Sequence, residues 1–154
     1  QLRAMLELND ADLRERRHAR VLERQPEFDR RLGRVLEMNR SDRLRYYEHW
    51  PLWAVLDECM LAEAITEVRG PEPAIALLLH TAQRMRRNDI RHPLLWCVWH
   101  LAVGRASGCA GRFDQARRHF RQVARVPGVV TPLQLRRTMR EAGLDPDTAL
   151  GTPR

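Results

Sequence analysis

The chain contains no lysine: all 27 of its basic residues are arginine, and they exceed the 20 acidic residues by seven. A GC-rich genome would produce this bias. Selection would produce it too, because the planar guanidinium binds phosphate and carboxylate groups through paired hydrogen bonds better than an ammonium does. The two causes are compatible. The net charge of +7 favours acidic partners and does not bear on the fold.

Cysteine and long apolar runs are also scarce. Cys59, Cys97 and Cys109 are an odd number of scattered cysteines, which argues against a secreted disulfide framework and for a reducing compartment. The longest apolar runs, 74–79 and 94–103, are too short to cross a bilayer. A signal peptide has a positively charged start followed by an apolar run, and the sequence does not open with this pattern. We therefore expect a cytoplasmic protein that does not bind membranes.

Recognisable catalytic motifs are missing. The sequence has no glycine-rich phosphate loop, nucleophile elbow, His-Glu-x-x-His or CxxC pair. Cys97 and His100 stand one helical turn apart with Cys109 downstream, but no second ligand pair has matching spacing, so we interpret them as a buried thiol and a core histidine. The other histidines are scattered and lack acid or serine partners in any motif. We expect no catalytic residue, metal or cofactor and no small-molecule substrate. An enzyme whose site is assembled only in three dimensions is the third alternative.

The residues that are present predict helices almost throughout. A chain of 154 residues with 44% hydrophobic residues can build a core without a metal or disulfide. In residues 1–50 we expect two or three charged helices. The first is capped by Asn9, Asp10 or Asp12 and runs to about Glu23, the second begins at Pro26, and a short third is capped by Ser41.

Residues 51–154 show a repeating pattern. Pro-Leu pairs at 51, 93 and 132 each open a predicted helix after a turn, at spacings of 42 and 39 residues. This spacing is typical of stacked antiparallel helical hairpins, with a shorter C-terminal helix that ends at Gly143 as a cap. A plain helix bundle, in which the prolines only mark first turns, is the alternative. The expected fold is all-α, with the N-terminal helices packed on the hairpins.

One hairpin, at residues 100–127, resembles the tetratricopeptide (TPR) family. The resemblance lies in a large-small pair, a turn glycine, an alanine and an aromatic four apart, and a terminating proline: Val103-Gly104, Gly111, Ala116, Phe120 and Pro127. The repeat period near 40 is closer to HEAT-like spacing. The resemblance implies a scaffold that binds a partner, with Gly104 and Ala116 letting two helix backbones approach beside Phe120.

Arginine is concentrated in the C-terminal part of the chain. Between residues 84 and 140, thirteen arginines accompany only two acidic residues, Asp89 and Asp114. The alternatives to a binding role are favourable positions at helix C-termini and pairing with acids of the N-terminal helices. The residues predicted to bind a polyanionic partner are Arg84, Arg86, Arg87, Arg91, Arg112, Arg117, Arg118, Arg121, Arg125, Arg136, Arg137 and Arg140.

A second candidate interface is aromatic. Tyr46, Tyr47, Trp50 and Trp53 cluster beside arginines, where aromatic side chains could anchor a partner or stack on bases. Alternatively, Trp50 and Trp53 wedge the N-terminal helices onto the hairpins.

These patterns predict a non-catalytic scaffold or accessory subunit that presents an arginine-rich face to an acidic protein surface. The alternative is a nucleic-acid-binding subunit of a larger complex that contacts the RNA or DNA backbone. The two differ in salt dependence, since backbone binding weakens steeply as salt rises.

Overall fold

The structure, a computed structural model, describes residues 2–38 and 50–151. All regular structure in these two ranges is α-helical, so the predicted all-α class is confirmed. The eight helices described are α1 (Leu2–Arg14), α2 (His18–Glu37), α3 (Trp50–Arg69), α4 (Pro71–Arg87), α5 (Pro93–Cys109), α6 (Phe113–Ala124), α7 (Pro132–Glu141) and α8 (Pro146–Leu150). The short helix predicted after Ser41 lies outside the described residues.

Proline opens most of the helices in the C-terminal part. It occupies the first turn of α4, α5, α7 and α8, where its missing N–H costs no helical hydrogen bond. Thr131 adds a capping box to α7: its hydroxyl accepts from the Gln134 N–H, and the Gln134 side chain accepts from the Thr131 N–H. These strong start signals explain why the helices after residue 70 lie close to where the sequence predicts them.

The predicted boundaries of the N-terminal helices are wrong. Asn9 and Asp12 lie inside α1 and are buried. The helix ends at Arg14, and residues 15–17 form a turn in which Arg16 has a φ of +58°. Pro26 lies inside α2 instead of starting a helix. The reason is tertiary: Asn9 and Asp12 have the side chains of helix caps, but both are used in contacts with α2.

Two central helices organise the packing. Helix α3 packs against α1, α2, α4 and α5, and α5 packs against α3, α4, α6 and α7. One apolar core lies between α3, α4 and α5, and a second joins α5 to α6, α7 and α8. A third core holds α1 and α2 on α3, with Trp53 and Met60 packed against Leu2, Leu6 and Phe28. The N-terminal helices therefore pack on the rest of the chain through α3.

Helix α5 approaches its C-terminal neighbours at two buried glycines. A Cβ placed on Gly104 would lie 2.9 Å from the Phe120 ring, so the close approach predicted beside Phe120 is present. A Cβ on Gly108 would lie 2.5 Å from the carbonyl oxygen of Ala142 and 2.7 Å from its Cβ. Gly108 lies inside α5, and the chain after α7 passes directly over it, which leaves no space for a side chain.

A buried polar network joins the N-terminal helices to α3. Asp57 is 1% exposed and accepts hydrogen bonds from Asn9 of α1 at 3.2 Å and Gln25 of α2 at 3.1 Å. Arg24 donates to Asn9 at 2.9 Å and forms an ion pair with Asp12. Burial raises the pKa of the Asp57 carboxyl to about 7, even though the two amide donors oppose this shift. A carboxyl group thus lies at the centre of the contact between three helices.

Replacing Gly108 by alanine tests the contact between α5 and the end of α7. We expect Gly108→Ala to lower the free energy of unfolding by about 2 kcal/mol, because the steric conflict with Ala142 outweighs the gain in helix propensity. The matched control is Gly33→Ala in α2, where a Cβ meets nothing within 4 Å. The control should raise the free energy of unfolding by about 0.5–1 kcal/mol in urea titrations. Equal effects of the two substitutions would contradict the packing at Gly108.

The Asp57 network predicts a pH dependence of stability. The pKa of Asp57 is above the value of 3.8 for an unfolded chain, so the folded state binds the proton more tightly. The stabilising contribution of this group is therefore fully present below pH 3.8 and is lost as the pH rises through about 7. We expect the free energy of unfolding of the wild type, relative to that of Asp57→Asn, to fall by up to about 4 kcal/mol across this interval.

Urea titrations at several pH values measure this difference, with Asp10→Asn on α1 as a control that removes no buried carboxylate. In Asp57→Asn the new amide N–H faces the Gln25 Nε2, and rotation of the Gln25 amide by 180° would let its Oε1, which has no donor among the described residues, accept from that N–H. A difference between the wild type and Asp57→Asn that stays constant from pH 5 to 8 would show that the carboxyl titrates normally.

Candidate anion-binding surface

Helices α4, α5 and α6 form an antiparallel layer whose register is fixed by ring contacts. The Trp99 indole N–H of α5 donates to the Leu78 carbonyl of α4 at 2.7 Å. On the other side, His100 of α5 and His119 of α6 bring their Nδ1 atoms to 2.8 Å. With this register, the carboxyl ends of α4 and α6 lie at the same end of the layer as the amino end of α5. The arginines at 84–91 and 118–125 therefore share one end of the layer.

Half of the twelve predicted arginines are already bound to carboxylates of the chain. These six are partly or fully exposed, and their acidic partners come from α3, α4, α6, α7, α8 and one turn. None of these partners lies in α1 or α2, where pairing was considered as an alternative. The pairs are Arg84–Glu58, Arg91–Asp89, Arg112–Glu72, Arg117–Asp114, Arg136–Asp147 and Arg137–Glu141.

Helix α8, which the sequence analysis missed, binds two of the predicted arginines. Arg121 of α6 donates to the Ala149 carbonyl at 3.1 Å, and Arg136 of α7 pairs with Asp147. The sequence signal for this helix was Asp145 before a proline: its side chain accepts hydrogen bonds from the first N–H groups of α8. Arg121 of α6 and Arg136 of α7 thus both contact α8.

The remaining predicted arginines have exposed side chains. Within the described ranges, no carboxylate pairs with Arg87, Arg118, Arg125 or Arg140. The Arg86 guanidinium lies 5.8 Å from the centroid of the Trp96 ring, in cation–π geometry. These side chains keep their full charge available to a partner.

On α6 the free arginines point away from the core. Ala116, Phe120 and Val123 are buried along one side of the helix. At 100° per residue, Arg118 and Arg125 lie on the opposite side, two turns apart. Arg117 lies at the side of the helix, four residues before Arg121, and pairs with Asp114 at 2.9 Å.

A row of rings crosses the layer beside these arginines. The ring centroids of Trp96 and Trp99 are 5.5 Å apart, and that of His100 is 4.9 Å from Trp99 and 5.1 Å from His119. Burial, the neighbouring His100 and the charge of Arg118 lower the pKa of His119 to about 4, and burial lowers the pKa of His100. At pH 7 both rings are therefore neutral. No local pattern predicts the contact between these histidines, because a contact across 19 residues depends on the hairpin register.

The pKa of each of the three cysteine thiols is raised. Cys97 and Cys59 are buried, and burial raises the pKa of each thiol, so both stay protonated at neutral pH. Cys109 is exposed, and its thiol pKa is also raised, mainly by burial of the sulfur. In the part of the chain that the structure describes, no three His, Cys, Asp or Glu side chains are grouped to hold a metal ion.

The predicted aromatic interface is only partly described. Tyr46 and Tyr47 lie outside the described residues, as does the side chain of Trp50. Trp53 is half-buried and packs against the core that holds α1 and α2 on α3. This position is the one expected if Trp53 wedges the N-terminal helices onto the hairpins.

Arg105, the one arginine of α5, was not among the predicted residues, although three carboxylates surround it. It forms ion pairs with Glu63 and Glu67 of α3, and its guanidinium lies 3.9 Å from Glu141 of α7. The sequence does not predict this role, because the three carboxylates come from two other helices, α3 and α7. A count of charges along the sequence treats Arg105 as one more surface cation.

No family model, curated protein or solved structure matches this chain. The TPR-like or HEAT-like character of residues 100–127 therefore stays a prediction. Among the described helices, none has both the length and the apolar character needed to cross a membrane. The functional conclusion depends on the geometry of the arginine surface.

Proposed function

We propose that this chain is a non-catalytic binding module that presents its exposed arginines to an acidic surface of a partner protein. The observation that carries the proposal is the group at one end of the α4–α5–α6 layer: Arg86, Arg87, Arg118 and Arg125, which we call the arginine patch. Arg87, Arg118 and Arg125 are exposed without a carboxylate partner among the described residues.

The charge balance supports an external partner for this patch. Other arginines of the layer, such as Arg84 and Arg117, are bound to carboxylates of the chain. Cations that share a surface repel one another, and carboxylates of a partner relieve this repulsion through charge-assisted hydrogen bonds. Contact with the Trp96 ring also restricts Arg86, so less side-chain entropy is lost on binding.

A second candidate partner is single-stranded nucleic acid. The ring row favours it, because half-buried Trp96, His100 and His119 lie between Arg86 of α4 and Arg118 of α6. Aromatic rings with neighbouring arginines bind unpaired bases by stacking while the arginines contact phosphates. The two candidates use the same patch and differ in whether the rings contribute to binding.

Charge reversal on α6 tests the proposal. We expect Arg118→Glu with Arg125→Glu to weaken binding of a fluorescein-labelled polyglutamate peptide by about tenfold or more at about 50 mM salt, because two cations are replaced by anions at the contact. Fluorescence anisotropy measures the affinity. The control is Arg20→Glu with Arg34→Glu on exposed positions of α2, which changes the net charge from +7 to +3 equally.

The same titration with a labelled single-stranded oligonucleotide separates the partners. Tighter binding of the oligonucleotide, with an affinity that falls steeply from about 50 to 300 mM salt, would favour nucleic acid over an acidic protein. Equal losses of affinity in the α6 and α2 variants would mean that only net charge matters, and the arginine patch would not be the binding site. Flat traces with both probes at low salt would overturn the proposed function.

A further inference from the structure

A cavity lies away from the arginine patch, where α1, α3, α5 and α7 converge. It is a cleft of about 600 Å³ bordered by the α1–α2 turn and by residues 129 and 130 of the loop before α7. Clefts of this volume are typical of small-molecule sites. Its walls come from both ends of the described chain, so its shape depends on the packing of the N-terminal helices on α3.

An apolar recess of about 130 Å³ adjoins this cleft. Leu56 and Cys59 of α3 form one wall of the recess, and Val98, Leu101 and Ala102 of α5 form the other. The small side chains of Cys59 and Ala102 leave the space that larger residues would fill. The two spaces adjoin one another, because they share the lining residues Met60, Glu63, Leu101, Arg105 and Thr138.

Charges of both signs lie where the recess opens into the cleft. Glu63 and Arg105 are the charged residues that line both spaces. Arg105 pairs with Glu63, donates to Oε1 of Glu67 at 2.9 Å and lies 3.9 Å from Glu141. Each of the three carboxylates therefore already contributes to holding one guanidinium that is only 14% exposed.

The group as a whole has a surplus of negative charge. Glu141 receives a second cation, Arg137, at 3.0 Å. Three carboxylates then face two guanidinium groups. Within the described part of the chain, no donor is bonded to Oε2 of Glu63 or Oε2 of Glu67. These two oxygens are one helical turn apart on α3 and are available to a cation.

The outer rim carries one arginine more than it has acids. Arg14 pairs with Asp10 at the end of α1, and Arg16 and His18 come from the α1–α2 turn. The Arg105 Nε has no acceptor among the described residues, but it is buried, and both terminal nitrogens are paired with carboxylates. An anionic ligand at the recess would therefore have to displace a carboxylate and leave it unpaired in a partly buried position. A cation meets no such competition, because it adds to the free carboxylate oxygens.

We propose that the cleft binds a small primary amine with an apolar chain. Its ammonium group donates to the free oxygens of Glu63 and Glu67, and its chain fills the recess between Leu56, Val98 and Leu101. A recess of this size accommodates about six carbon atoms, since an apolar cavity of about 150 Å³ takes up benzene. The site is independent of the arginine patch and of the partner proposed for it.

Titration of the whole chain with hexylammonium tests the site. We expect saturable binding by isothermal titration calorimetry, with a dissociation constant of about 1 mM or tighter for so small a ligand, and a rise in Tm of about 2–5 °C near saturation. Hexanoate carries the same chain with the opposite charge, and methylammonium carries the same charge without the chain. Neither should bind at equal concentration and ionic strength.

Two pairs of variants locate the binding. Glu67→Gln should weaken hexylammonium binding by about tenfold, whereas Glu72→Gln, which also removes a carboxylate paired with an arginine, should not change it. Ala102→Leu should abolish binding by filling the recess, whereas Ala76→Leu on the exposed side of α4 should leave it intact. Circular dichroism of each variant confirms that it is folded, and Glu67→Gln tests the site even if Ala102→Leu fails to fold.

The alternative results each overturn a part of the argument. Binding of hexanoate as tight as that of hexylammonium would contradict the role of the carboxylates. Methylammonium binding of equal strength would contradict the recess. If hexylammonium does not bind at several millimolar, or binds equally to Glu67→Gln and the wild type, the cleft is not an amine site. The arginine patch would be unaffected by any of these results, because its probes are anionic.

Discussion

Burial of α5 on almost every side is the constraint on which the rest of the structure depends. This helix packs against α3, α4, α6 and α7, and it contributes to both of the C-terminal cores. A helix that is apolar all round must be enclosed, because one layer of neighbours cannot cover it. The glycines at 104 and 108 allow that enclosure, since a side chain at either position would collide with Phe120 or Ala142.

The enclosure of α5 determines where the polar chemistry of the molecule lies. Arg105 is the only arginine or acidic residue on α5, and it is carried into the interior with its helix. A buried guanidinium without partners would cost several kcal/mol, so α3 and α7 supply carboxylates to it. Asp57 is likewise buried, on the other side of α3, and accepts hydrogen bonds from Asn9 and Gln25. Each buried charge therefore joins two or more helices and fixes their register.

The helices after residue 70 could be predicted from the sequence, because their boundaries are local. Pro93 opens α5 and Pro132 opens α7, and the turn after α7 contains Gly143 with a positive φ of 76°. The N-terminal boundaries could not be predicted this way. Asn9 and Asp12 have the local character of caps, and only their burial against α2 and α3 shows that they are interior positions.

The candidate sites were predictable to a smaller extent, for a related reason. Sequence identifies arginines but not their partners, and half of the predicted set proved to be bound to carboxylates of the same chain. Arg117 shows the difficulty. It is spaced four and eight residues from Arg121 and Arg125 and so lies in line with them, yet Asp114 pairs with it. The contact of His100 with His119 and the pairing of Arg105 with Glu63 both require the packing of separate helices, which no local pattern contains.

The periodicity of α5 also explains why the two proposed sites are separate. Trp96 and His100 are one turn apart and lie towards α4 and α6, where the arginine patch is. Leu101 and Arg105 are likewise one turn apart, but they lie on nearly the opposite side, towards α3 and α7. The patch contains arginines without carboxylate partners among the described residues, whereas in the cleft three carboxylates surround Arg105. A helix buried between the two surfaces therefore separates sites of opposite charge preference, which is why anionic and cationic probes distinguish them.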